Sequence, residues 1–328
     1  SSIQFIDDQQ ALAGLLEEAG NRVVAFFRDF LDTSSRESIR MQRYVSENQA
    51  ERRRRSGRQP QLLDTAGTGP AAAPLADPRA KDFCDRLGCI PGDLRTLCVQ
   101  LGCGKIETPD IHKTGPAAAL LQEYSADFNF FIRPGSSKTG TSWEEDRSDK
   151  DNRAVNSREI SGFIMSSGHT LHCMYLHPGH QANSRFRYVG RDRKNPRAHV
   201  IAFAQKPESV DFLAQYSETS SPVPIRFLVQ GLIWIDPESH QILRMRTSML
   251  APERQTTLRE TITDIHYGKV HFGEANKEFW LPQEIDVSYE FSHTDKLDLI
   301  YRNQHKYTDY RLFSVDTDYE ITLPEVGD

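Results

Sequence analysis

No apolar run in this chain approaches the ~18 residues needed to cross a bilayer as a helix, so the 328 residues are expected to be soluble or peripheral. Excess positive charge is missing too. A formal net charge of −6 and a pI near 6.0 offer nucleic acid no global attraction. Arg52, Arg53, Arg54, Arg55 and Arg58 form a local basic cluster that reads as the solvated tip of a hairpin. Recognised catalytic signatures are absent: there is no Gly-x-Ser-x-Gly elbow and no His-Glu-x-x-His helix. The stretch Gly135-Ser136-Ser137-Lys138-Thr139-Gly140 lacks a glycine five residues before a Gly-Lys pair, which is the wrong spacing for a phosphate loop. The chain is therefore expected not to be an enzyme and to carry no cofactor.

Cysteine is scarce but concentrated, with four of five falling in twenty residues: Cys84, Cys89, Cys98 and Cys103. Their spacing is symmetrical about the turn Pro91-Gly92-Asp93. In an antiparallel helical hairpin that symmetry pairs Cys84 with Cys103 and Cys89 with Cys98, and such disulfides imply an oxidising compartment. Residues five apart on a helix are rotated by ~140°, so the pairing needs helix ends near Gly88 or Gly102. A four-thiolate zinc site in a reducing compartment is the rival reading. The fifth, Cys173, reads as a small buried hydrophobe. A first residue that is Ser1, not Met, suits a chain whose secretory leader has been removed, so a periplasmic or secreted location is expected.

What is abundant is β pattern. Ile225 to Thr247 places two runs of β-formers around Asp236-Pro237-Glu238-Ser239, a turn that reverses the chain, and reads as a hairpin. Strands are also expected at Ser38 to Asn48, Ala126 to Arg133, Phe186 to Arg191, His199 to Lys206, Leu258 to Phe272, Leu299 to Val315 and near Ile321. Ile285, Val287, Tyr289 and Phe291 alternate with polar residues, which marks a strand with one dry face. Before these strands, Leu12, Leu15, Leu16, Ala19, Val23, Phe26, Phe27 and Phe30 recur at helical spacing, predicting one amphipathic helix from Asp7 to about Leu31. Asp32-Thr33-Ser34-Ser35 is expected to end it as a turn. Linkers rich in Gly, Ala and Pro set off residues 57–123 as an excursion from the sheet, and the acidic stretch Gly135 to Asn156 reads as a loop.

This order resembles the bacterial lipoprotein-carrier superfamily (LolA/LolB-like). The segments GLIWIDPESHQILRMR (231–246), VHFGEANKEFWLPQEIDV (270–287) and YRNQHKYTDYRLFSV (301–315) look like parts of secreted bacterial proteins with that fold. The resemblance covers about 7–46 and 186–317 and omits the cysteine insertion. It implies an α+β fold over 1–328 in which a curved antiparallel sheet forms a half-barrel with the N-terminal helix on its concave side. It also implies an apolar groove for a lipid or lipoprotein acyl chain, lined by Phe27, Phe227, Val229, Ile233, Ile235, Ile285, Val287, Tyr289 and Phe291. The alternative is a structural or protein-interaction component of a bacterial envelope or extracellular assembly, with protein partners meeting the insertion. One further cluster bears chemistry: His169, His172, His177 and His180 with Cys173 could ligate zinc or copper, or could belong to a turn-rich linker in which they hydrogen-bond locally or face water.

Overall fold

A computed structural model of the chain describes residues 3–6, 8–29, 33–47, 118–134, 143–155, 160, 162–208, 214–216, 224–250, 256–273, 276–294 and 297–312. The four clustered cysteines, the arginine cluster and the expected strand near Ile321 lie outside them, as does nearly all of the insertion. The described strands are β1 (Ile3–Phe5), β2 (Thr33–Glu47), β3 (Ala119–Pro134), β4 (Trp143–Ser148), β5 (Ser184–Asp192), β6 (His199–Gln205), β7 (Ala214–Tyr216), β8 (Ile225–Phe227), β9 (Val229–Ile235), β10 (Ile242–Met249), β11 (Leu258–Phe272), β12 (Lys277–Ser292) and β13 (Leu297–Leu312). Eleven of them form one antiparallel sheet in the order β1-β5-β6-β9-β10-β11-β12-β13-β2-β3-β4; β7 and β8 pair separately.

The β9–β10 connection is the expected hairpin turn, held by Asp236, whose Oδ2 accepts from the Ser239 backbone and hydroxyl, each at 2.8 Å. β2 pairs with β3 across the insertion, as the strand reading of 38–48 and 126–133 requires, but both run further. Thr33 to Ser35 belong to β2 and do not form a turn. Their short polar side chains are tolerated because Thr33 and Ser35 take alternate inward positions. The acidic loop is corrected in the same way. Trp143 to Ser148 form the edge strand β4, stabilised where Glu145 and Arg147 find partners described below.

One 20-residue helix, α1 (Gln10–Asp29), connects β1 to β2 and so spans from one end of the sheet to the other half. Leu15, Ala19, Val23 and Phe27, four apart, are buried in one cluster with Ile201, Phe203, Ile233, Met245 and Phe291 of the sheet. Each large apolar side chain there contributes roughly 1.5–3 kcal/mol. Between α1 and the sheet lies a 3₁₀ helix, His169–Leu176, followed by the single turn α2 (Pro178–Gln181). Gly20 lets α1 approach them closely: a Cβ there would meet Gln181 Nε2 at 2.8 Å and the Leu176 carbonyl at 3.0 Å. Gln181 Nε2 donates to Leu16 O at 2.9 Å and to Leu176 O at 2.7 Å, tying the two helices together. Among the described residues no helix is long and apolar enough to cross a membrane.

Candidate functional site

Two places on the helix-covered face of the sheet can do chemistry or bind. The first is a cleft beside α1, walled by Ala19, Val23 and Phe26 of the helix, Thr170 and Cys173 of the 3₁₀ helix, and Ile242, Tyr267, Trp280 and Pro282 of the sheet. Its empty space, counted out to open solvent, is about 430 Å³. Arg22 stands exposed on its rim with His240 and Gln241 opposite. The Tyr267 hydroxyl is buried without a hydrogen-bond partner among the described residues, and burial pushes its pKa well above the usual phenol value. Burial likewise pushes the Cys173 thiol up to about 12, and its Sγ donates to Thr170 O at 3.3 Å, so it is a protonated wall residue and not a nucleophile.

None of the nine residues expected to line a groove lines this cleft. Phe27, Phe227, Val229, Ile233, Ile235 and Phe291 belong to one buried cluster with the partly buried Tyr289 packed on it, and Ile285 and Val287 to a second. They are covered by α1, by the 3₁₀ helix and by one another.

The second place is a buried polar network at the other half of the sheet. Glu37 of β2 faces inward, directly across from Tyr307 of β13, and His305 is two residues along on the same face. On β4, Arg147 pairs with Phe130 of β3 and lays its guanidinium over that ring, 5.0 Å from the centroid. Arg147 grips the carboxylate with Nε to Oε2 at 2.5 Å and Nη2 to Oε1 at 2.8 Å; the Tyr307 hydroxyl donates to Oε1 at 2.7 Å and His305 Nδ1 at 2.9 Å. Burial alone would raise the Glu37 pKa, but the bonds from His305 and Arg147 outweigh it and hold the carboxyl at about 2. Arg147 is desolvated too, yet the carboxylate raises its pKa.

In the tautomer with its proton on Nδ1, facing the ionised Glu37 at 2.9 Å, His305 accepts at Nε2 from the Ser166 hydroxyl at 2.6 Å. Asn303 Nδ2 donates to Ser166 Oγ at 3.2 Å and to Ile164 O at 2.6 Å. Hydroxyl, imidazole and carboxylate thus stand in one hydrogen-bonded line from three distant parts of the chain. Motif scanning could not find it, because residues 37, 166 and 305 share no local pattern.

The four histidines divide into two pairs. His169 and His172 lie 5.6 Å apart between ring centroids, and His177 and His180 lie 5.7 Å apart. Among the described residues no group of three or more His, Cys, Asp and Glu side chains suits a metal ion. His169 is 4% exposed, sits 5.2 Å from the His305 ring, and has no partner for either nitrogen among the described residues, against the expectation of local hydrogen bonding or water. Burial, with His305 and His172 nearby, lowers its pKa well below the ordinary value. Burial lowers His172 to about 4, while its Nδ1 bonds Gly168 O at 3.2 Å. Glu145 of β4 caps the start of the 3₁₀ helix, accepting from Gly168 N at 2.5 Å and Thr170 N at 3.2 Å. A scan of protein-family models and searches of curated proteins and of solved structures find no match to this chain.

Proposed function

We propose that the protein binds a lipophilic, anionic-headed ligand such as a fatty acid or other acyl chain, with its tail in the cleft beside α1. The observation that carries this reading is an apolar cleft with an unpaired Tyr267 hydroxyl in its wall and the exposed Arg22 on its rim. An apolar wall with a few polar anchors is the usual composition of small-molecule sites. Arg22 supplies charge for a carboxylate head, and a small outward shift of α1 presents the Tyr267 hydroxyl to an entering acceptor. A micromolar affinity needs about 8 kcal/mol, which is roughly the transfer energy of ten methylenes before immobilisation is counted. The 430 Å³ includes space open to solvent, so a long chain requires α1 to move away from the sheet. The proposal includes the curved half-barrel of the lipoprotein-carrier type as the fold and a periplasmic or secreted setting. The open antiparallel sheet under an N-terminal helix supports the first, and the four clustered cysteines support the second.

Native mass spectrometry with lipid extraction, and titration with a fluorescent fatty acid read also through Trp280, test it. Saturable binding is expected, weakened about tenfold in Arg22→Glu and several-fold in Tyr267→Phe. No extractable lipid and no saturable binding by the folded protein would overturn it, and would favour the envelope-component reading.

A further inference from the structure

The serine, histidine and glutamate at the centre of the buried network are arranged as a reactive line. In Ser-His-acid hydrolases the hydroxyl donates to one imidazole nitrogen while the other donates to a buried carboxylate, and the triad is recognised by those roles, not by sequence order. Here the two links measure 2.6 Å and 2.9 Å. Asn303 Nδ2 donates to the serine oxygen at 3.2 Å and to Ile164 O at 2.6 Å, and so orients the hydroxyl. Arg147 holds Glu37 from the opposite side and is a positioning residue. The surroundings are apolar: Ile39, Met41 and Phe128 form a buried cluster on the same strands, and Ile164 precedes the serine by two residues.

The serine is 3% exposed, so a substrate meets it only if its cover lifts. The 3₁₀ helix that begins three residues after the serine has three features that favour such a movement. His169–Leu176 is a 3₁₀ helix of eight residues, whereas runs beyond three or four are uncommon because their hydrogen bonds are poorly aligned. Its first residue, His169, buries an imidazole with neither nitrogen satisfied among the described residues, which penalises the closed arrangement. Gly168, at φ 79°, joins the serine segment to this helix in a conformation that favours glycine.

We propose that Ser166, His305 and Glu37 are an acyl-transfer triad held closed beneath the 3₁₀ helix, with a carboxylic ester of an apolar acyl chain as substrate. Ser166 Oγ attacks the ester carbonyl and forms the new C–O bond while His305 Nε2 takes the hydroxyl proton. Collapse of the tetrahedral adduct breaks the bond to the leaving alcohol, which takes that proton from Nε2. Water then attacks the acyl-serine, its proton passes through Nε2 to Ser166 Oγ, and the free acid departs.

An alkyl fluorophosphonate, which phosphonylates activated serines, reports the triad directly and independently of fatty-acid binding in the cleft. The full-length folded protein is incubated with it, mass is followed, and the site is mapped by peptide digestion. A single adduct on Ser166 is expected, absent in Ser166→Ala and slowed at least 100-fold in His305→Gln. Glu145→Ala, which removes the cap of the covering helix and touches none of the reacting groups, is expected to speed labelling about tenfold. Hydrolysis of p-nitrophenyl octanoate should follow the same order. Failure of both the native chain and a folded Glu145→Ala variant to label at Ser166 would overturn the proposal, as would labelling that persists in Ser166→Ala.

Discussion

The two halves of the sheet bury their helix-covered face by opposite means. From β5 through β10 the covering is apolar: all seven residues of β9 are buried, and Leu15, Ala19, Val23 and Phe27 of α1 pack against this region. Around β13, β2 and β4 the same layer contains a carboxylate, a guanidinium, an imidazole and a phenol within one network. The first half is held by volume and area, so each residue's contribution scales with what it fills. The second is held by reciprocal satisfaction, in which deleting one partner strands another. The outer face of the apolar half does carry a polar pair. The buried Trp234 there is roofed by the Arg244 guanidinium, 4.6 Å from its ring centroid and bonded to Asp264.

Breaking the polar half at its centre should have the largest effect. Glu37→Gln leaves Arg147 buried without its counter-ion and is expected to lower stability by about 3–5 kcal/mol in urea denaturation. Adding Arg147→Met to it should recover a large part of that loss, whereas additive losses would mean the pair is not coupled. In the apolar half, Ile233→Ala, at a fully buried position, should cost about 3 kcal/mol through a cavity. There, no second substitution of charge should rescue it.

Acid separates the halves further. His172 titrates near 4 in the fold, and His169 also lies well below its ordinary value of 6.5. The unfolded chain therefore takes up these protons first, and stability is lost as pH falls below 6.5, by about 2 kcal/mol for His172 on reaching pH 5, with His169 adding a loss in the same direction. Glu37, at about 2 against an ordinary 4.5, adds a second loss as pH falls from 4.5 through 2. A thermal midpoint that stays flat from pH 7 to pH 5 would contradict the first window. The smallest expected effect has the opposite sign: His169→Leu removes two unsatisfied buried nitrogens and should stabilise the protein by about 1 kcal/mol, and it should flatten part of the upper acid window.

The apolar half was the legible one. Periodicity places α1 within three residues of its observed start, and the expected strand 258–272 coincides with β11, because spacing that buries a face is a property of the chain itself. The polar half was hidden for the same reason. Thr33, Ser35 and Glu37 put polar side chains at inward positions of β2, so the alternation that identifies a half-buried strand vanished and its first residues, through Ser35, read as a turn. Glu144 to Arg147 read as solvated acid for want of their partner: the charge that makes Glu37 tolerable inside comes from Arg147, 110 residues away.

What the sequence by itself determined is the antiparallel strand succession, the amphipathic helix before it and the hairpin at Asp236, since each rests on contacts or periodicities within a few residues. Only the tertiary structure decided which residues fill the interior and which meet there. The strand register sets Glu37 opposite Tyr307, and the fold brings Ser166 within 2.6 Å of His305. Hydrogen bonds and ion pairs between distant strands have no imprint in local spacing, because their cost and their compensation are carried by different parts of the chain.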